Sequence, residues 1–158
     1  VIVFGIYNSA KGFNNEAVVL QEDAKTTWSN VESAYQRRND LIGNLVKTVQ
    51  GAADFEKNTL TDVINARAKA SSVNINAGDL TPDKMAQFQQ AQSGLTGALS
   101  KLMVVVERYP DLKANQNFLD LQDKITKTED QIAASRRIYN SNVMTFNSKI
   151  QICDFYLK

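Results

Sequence analysis

The chain reads as all-α, an antiparallel up-down-up-down bundle of four long helices, and three observations predict this. Apolar residues recur at steps of three and four along nearly the whole sequence, the spacing that places them on one face of a helix. Only 2 prolines and 7 glycines occur in 158 residues, and both prolines stand where a helix would start or stop. The period-two alternation of a half-buried strand is missing from the sequence. With 43% hydrophobic residues, one domain of this length can bury a continuous core without disulfide or metal support.

The first helix is carried by Phe13, Ala17, Leu20, Ala24, Trp28, Val31 and Tyr35, within residues 7–38, and its row runs on past Arg38. Asp40 is placed to cap a second helix, whose stripe of Leu41, Leu45, Val49, Ala52, Leu60, Val63 and Ile64 extends to about Ala70. A short turn at Arg37–Asp40 makes these two helices antiparallel neighbours. From Ser71 to Leu80 the periodicity is lost and Asn74, Asn76, Gly78 and Asp79 mark a polar loop. Thr81-Pro82-Asp83 then gives a cap, a proline at the first helical position and an early acid, which starts a third helix. Its row of Met85, Phe88, Leu95, Leu99, Leu102, Val106 and Tyr109 is interrupted only by Gln92.

Tyr109-Pro110-Asp111 ends that helix, and Asn115 or Asn117 can cap the fourth. The fourth seam runs through Phe118, Leu121, Ile125, Ile132, Tyr139, Val143, Phe146 and Ile150, with Thr128 and Ser135 as polar interruptions. Four helices of roughly 30 residues would each be about 45 Å long. The start of the first helix, the 71–80 loop and the C-terminal tail then share one end. The Arg37–Asp40 and Pro110–Ala114 turns share the other, as a distal tip.

Charge and composition remove several function classes. The 18 Lys and Arg balance 17 Asp and Glu, so no overall field draws the chain to a nucleic acid. The one cysteine, Cys153, excludes an internal disulfide and a multi-thiolate metal site. Histidine is absent, which removes the usual general base, the serine or cysteine triad and most transition-metal sites. Glu32, Asp54, Glu56, Asp62, Glu107 and Glu129 invite comparison with di-iron bundles, but those sites need Glu-x-x-His pairs. No catalytic, cofactor-binding or metal-ligating residues are assigned, and no small-molecule substrate or cofactor is expected.

The candidate binding residues lie at the two ends. At the distal tip, Arg37, Arg38, Asp40, Asp111 and Lys113 form a charged surface able to receive a protein partner; the same arginines also suit a helix C-terminus. At the other end Val1, Ile2, Val3, Phe4, Ile6 and Tyr7 are apolar, and Phe155 and Tyr156 return beside them as residues suited to a headgroup region. Six apolar residues cannot span a bilayer, which needs about 20, so they fit the end of a spanning segment, an apolar helix start or the remnant of a cleaved signal sequence. Within the fourth helix, one of Arg136 and Arg137 is expected to pair with Asp54 or Glu56.

Two long stretches carry a resemblance. Trp28, then Tyr35-Gln36-Arg37-Arg38-Asn39-Asp40-Leu41-Ile42-Gly43-Asn44-Leu45-Val46, Gly51-Ala52-Ala53 and Ala66-Arg67-Ala68 form the first. Tyr109-Pro110-Asp111-Leu112-Lys113-Ala114-Asn115-Gln116-Asn117-Phe118 and Arg136-Arg137-Ile138-Tyr139-Asn140 form the second. In this order they resemble the LemA family, over Tyr7 to Gln151. The resemblance implies a bacterial, single-pass membrane protein with a helical domain and no established enzymatic activity. It turns the reading of residues 1–6 toward the C-terminal end of an N-terminal transmembrane helix, leaving 7–152 as the helical domain and 153–158 as a tail. Gly43 stands where the family pattern carries proline, and a glycine in the first turn of the second helix would loosen it by about 1 kcal/mol. The tail lacks the Phe-Pro and Gly-Phe features of relatives.

The function expected from these observations is a non-catalytic, membrane-anchored scaffold or adaptor, acting through a protein partner. A structural protein that self-assembles on the membrane into a filament, ring or coat is the first alternative. A carboxylate-metal hydrolase is the second.

Overall fold

The structure, a computed structural model, describes residues 2–73, 76–78 and 80–156, with side chains for 11–73, 76–78 and 80–152. Five helices follow one another: α1 (Ile2–Gln50), α2 (Lys57–Ser72), α3 (Pro82–Val106), the single turn α4 (Pro110–Lys113) and α5 (Gln116–Tyr156). The protein is all-helical, with no strand among the described residues.

The first helix does not end at Arg37–Asp40. It continues unbroken to Gln50, 49 residues or about 73 Å. The reason lies in its buried row, which steps through Trp28, Val31, Tyr35, Arg38, Ile42, Leu45 and Val49 at alternating intervals of three and four. Arg38 occupies a place in that row rather than ending it. Asp40 caps nothing; its Oδ1 accepts a hydrogen bond from Gln36 Nε2 at 3.1 Å along the same helix face. The turn comes where the row breaks, at Gly51, whose N–H is shared between the carbonyls of Lys47 and Thr48 at 3.3 Å. Asp54, at φ 61°, is the residue that reverses the chain direction in the left-handed region.

The four long helices are therefore unequal. Instead of matched lengths of about 45 Å, α1 and α5 (41 residues) are far longer than α2 (16) and α3 (25). Two starts match their sequence signals. Thr81 Oγ1 accepts from the Lys84 amide at 3.3 Å with Pro82 at the first helical position, and Asn115 Oδ1 accepts from the Phe118 amide at 3.1 Å.

Contacts fix how the helices run. Glu16–Lys149, Thr27–Asn142, Trp28–Tyr139 and Arg38–Glu129 pair α1 with α5 in antiparallel register. Asn39–Ser71 and Gly43–Arg67 pair α1 antiparallel with α2. Trp28 and Tyr35 meet Phe88, and Arg38 meets Gln92, which sets α3 alongside α1 in the same direction. At the far end the α1–α2 turn closes on the α3–α5 turn: Tyr109 Oη donates to the Asp54 carbonyl at 3.1 Å, the Phe55 and Tyr109 rings lie 4.7 Å apart, and Arg108 pairs with Glu56 at 2.8 Å.

The buried side chains form two clusters rather than one. The larger, toward the turns, contains Ile42, Leu45, Val49, Leu95, Leu102 and Phe118 among others. The smaller contains Trp28, Val31, Tyr35, Phe88 and Ile132. What separates them is polar.

Candidate functional site

Between the two apolar clusters each of α1, α3 and α5 contributes a buried polar residue at the same level. On α1 it is Arg38, between Tyr35 and Ile42. On α3 it is Gln92, between Phe88 and Leu95, and on α5 it is Thr128, between Ile125 and Ile132. Each sits in a core position of its helix, so the rows that place apolar neighbours inside place these inside too. Thr128 satisfies its hydroxyl within its own helix, donating to the Lys124 carbonyl at 2.8 Å. Gln92 Oε1 accepts from Arg38 Nη2.

Arg38 is the centre of the layer. It is 2% exposed, and its planar guanidinium brings five hydrogen-bond donors into the core. Nη1 donates to Glu129 Oε1 at 2.8 Å and makes a longer contact of 3.5 Å with Thr96 Oγ1, and the Tyr35 ring lies under it with its centroid 5.2 Å from Cζ. Nε is buried and has no hydrogen-bond partner among the described residues. The counter-ion is lopsided, because the Glu129 side chain is 40% exposed and its charge is screened by water. A cavity of about 290 Å³ opens here, lined by Arg38, Gln89, Ser93, Glu129 and Arg136 among others.

The next residue of α1 faces the other way, toward α2. Asn39 is buried; its Nδ2 reaches Ser71 Oγ at 3.4 Å, its carbonyl accepts from Arg67 Nε at 2.8 Å, and its Oδ1 has no partner among the described residues. A second cavity of about 500 Å³ lies on this side, lined by Trp28, Tyr35, Asn39, Ser71 and Phe88, with Gln92 forming part of the wall of both. One deprotonation in the neighbourhood is displaced: burial pushes the Tyr139 phenol up from its ordinary 10.0.

The expected tip is not assembled. Arg37, Arg38 and Asp40 lie 10 or more residues short of Gln50, so they stand about 15–20 Å along α1 from the turns that hold Asp111 and Lys113. Arg38 is inside, while Arg37 and Asp40 remain on the surface. The charged residues that do gather at the turned end are Glu56 with Arg108 and Glu107 with Lys113. Glu56 therefore has its cation on α3's end, and neither Arg136 nor Arg137 pairs with it or with Asp54; both are exposed. The pairing was misplaced because it rested on a first turn at 37–40. Gly43, likewise, is not at a helix start but inside α1 beneath Arg67.

Of the residues expected near a membrane, Val1 lies outside the described residues. Ile2, Val3, Phe4, Ile6 and Tyr7 begin α1, and Phe155 and Tyr156 end α5, but their side chains lie outside the described ones. Among the described residues no helix is long and apolar enough to cross a membrane, so a single-pass crossing is not provided by these helices. Nor does any group of three or more acidic or cysteine side chains come together among them as metal ligands do.

The sequence did carry a signal for the buried layer. Arg38 keeps the three-four step between Tyr35 and Ile42, and Gln92 was the one polar residue in an otherwise apolar α3 row. Reading the two as facing each other would have located the site.

The fold and this layer define an all-α protein built on a long antiparallel helix pair, with an arginine buried across three helices. The model of the LemA family matches residues 27–154, and the chain belongs to that family. It is similar to Protein LemA of Metamycoplasma hominis, 29% identical over 151 residues, which cover 95% of this chain and 65% of that protein. It is also similar to Magnetosome protein MamQ 2 of Paramagnetospirillum magneticum and Magnetosome protein MamQ of Magnetospirillum gryphiswaldense. Both are 28% identical over 155 residues, covering 86% of this chain and 56% of each relative. The chain thus spans somewhat more than half to two thirds of the length of these relatives. None of these names is that of an enzyme.

Proposed function

We propose that this chain is the helical domain of a non-catalytic, membrane-anchored scaffold, in which the α1–α5 pair acts as a strut and the end closed by the two turns receives a protein partner. The observation that carries this reading is the continuity of α1. A 49-residue helix held in register by α5 sets its two ends about 70 Å apart. Because α1 and α5 are antiparallel, the start of one and the end of the other point to the end opposite the two turns, where an upstream membrane segment would leave the partner end free. The head is read as an up-down-up-down bundle of α2, α3 and the adjoining halves of α1 and α5. Family membership and the magnetosome proteins among the relatives support a bacterial membrane setting.

The partner surface moves with the turn. Arg37 and Asp40 lie partway down the strut, so the binding end consists of residues 51–56 and 107–115, with Asp111 and Lys113 retained and Glu56, Glu107 and Arg108 added. Crosslinking mass spectrometry on the full-length protein in its native membrane tests this, with Arg108→Glu and Lys113→Glu as the variant. The reading expects a reproducible foreign protein crosslinked to this end and lost in the variant. Crosslinks only between copies of the chain would replace it with the self-assembling coat or filament. Crosslinks unaffected by the reversal would contradict the assignment of the binding end.

A further inference from the structure

The cavity beside Arg38 has a composition that the packing of the core does not require. Three helices contribute to it: Arg38 from α1, Gln89 and Ser93 from α3, and Glu129 and Arg136 from α5. Glu129, Ala133 and Arg136 follow at steps of four and three, so α5 presents the carboxylate and the second guanidinium to the cavity from one face. Two guanidinium groups and one carboxylate leave a net positive charge in a space of about 290 Å³.

The donors are only partly used. Arg38 is held by Glu129 and Gln92, but its Nε hydrogen has no acceptor although the residue is almost wholly buried. Arg136 is exposed and makes no ion pair or hydrogen bond among the described residues, although it shares the cavity with Glu129. Ser93 and Gln89 add a hydroxyl and an amide from a third direction. Glu129, the one acceptor able to neutralise the site, is partly in water and holds Arg38 weakly for a charged pair.

From this geometry we infer that the cavity is a binding site for a phosphate group, with Arg38 as its buried anchor and Arg136 as the arm that closes on the ligand. Donors converging from three helices fit a tetrahedral oxyanion, which offers acceptors in every direction, better than a planar carboxylate, which offers them in one plane. The planar position on Arg38 is already taken by Glu129. A bound phosphate shares the Arg38 charge with Glu129 and brings Arg136 inward, tying α5 to α1 and α3 at the level where the core is divided. The site does not depend on the scaffold reading, since it uses only residues lining this cavity and none at the turned end. The phosphate is either free in solution or displayed by a lipid headgroup, and the same donors serve both.

The test uses the intact chain and inorganic phosphate, followed by amide chemical shifts and thermal stability, against potassium chloride at equal ionic strength. Saturable shifts at residues lining the cavity, a rise in melting temperature with phosphate and not with chloride, and a roughly tenfold or greater loss of affinity in Arg136→Gln are expected. Arg136 is exposed and holds no ion pair or hydrogen bond among the described residues, so that variant is expected to keep its stability. Glu129→Gln removes the competing carboxylate while leaving an acceptor for Arg38, and it is expected to bind phosphate more tightly than the parent chain. Vesicles carrying a phosphomonoester headgroup separate the sources: recruitment that free phosphate reverses identifies the headgroup, and binding of free phosphate without recruitment identifies the soluble ion. Shifts no different from those in chloride, or equal affinity in the parent and Arg136→Gln, would overturn the assignment.

Discussion

Arg67 donates its Nε hydrogen to the main-chain carbonyl of Asn39 at 2.8 Å, and the same guanidinium covers Gly43 so closely that a Cβ there would lie 3.0 Å from its Cζ. The glycine is thus a contact surface for α2, not a loose helix start. The Asn39 carbonyl is also the one whose intrahelical donor is residue 43. A proline at 43 would remove that donor and leave Arg67 in its place.

This contact predicts a coupling between the two positions. Alone, Gly43→Ala is expected to be near neutral, because the gain in helix propensity of about 1 kcal/mol is offset by displacing Arg67. In an Arg67→Ala background the same change is expected to stabilise by about 1 kcal/mol, since the obstruction is gone. Urea unfolding of the four proteins of the cycle measures the difference. A Gly43→Ala effect that is identical in both backgrounds would mean the contact carries no energy.

The Arg38 layer predicts unequal costs for its members. Arg38→Ala leaves Gln92 without its charged donor and opens a cavity between the two clusters, and it is expected to cost about 2–5 kcal/mol. Glu129→Gln keeps an acceptor for Arg38 and loses only a water-screened charge, so its cost is expected to be about 1 kcal/mol. Replacing Arg38, Gln92 and Glu129 together by Met, Leu and Leu is expected to recover most of the stability, since the two apolar clusters would merge. If Glu129→Gln unfolds the chain as readily as Arg38→Ala, the ion pair and not the buried guanidinium governs the layer.

Tyr139 gives a pH dependence with a defined sign. Its phenol packs against Trp28, with ring centroids 5.0 Å apart, and desolvation raises its folded pKa above 10.0. The folded state then holds that proton at pH values where the unfolded chain releases it. Stability from this residue is therefore complete below about pH 10 and falls as pH rises through the higher folded value. The difference in unfolding free energy between the parent and Tyr139→Phe, measured at pH 9 and pH 11, is expected to move against the parent at the higher pH. A difference independent of pH would show that the ring is not desolvated.

Much of the architecture was written in local chemistry. Thr81-Pro82-Asp83 starts α3 and Asn115 starts α5 through caps that need only neighbouring residues. Long apolar rows identify the helices themselves. The position of the first turn was harder, because Arg37-Arg38-Asn39-Asp40 is as polar as a loop and each of its residues is also tolerated inside a helix. The three-four step from Tyr35 to Ile42 puts Arg38 on the buried face, but the partners that make its burial tolerable, Gln92 and Glu129, are 54 and 91 residues away. A polar residue inside an apolar row is decided by its distant partners, and so is the register of the helices that meet there.

The continuity of α1 through Arg37–Asp40 is the relationship on which the strut, the displaced binding end and the buried layer all depend. Spin labels at the exposed positions Val19 and Lys47, in a chain with Cys153→Ser, test it directly by double electron–electron resonance. One unbroken helix places these 28-residue-spaced sites about 42 Å apart. A distance near 20 Å, as a chain reversing at Arg37–Asp40 would give, would contradict the account.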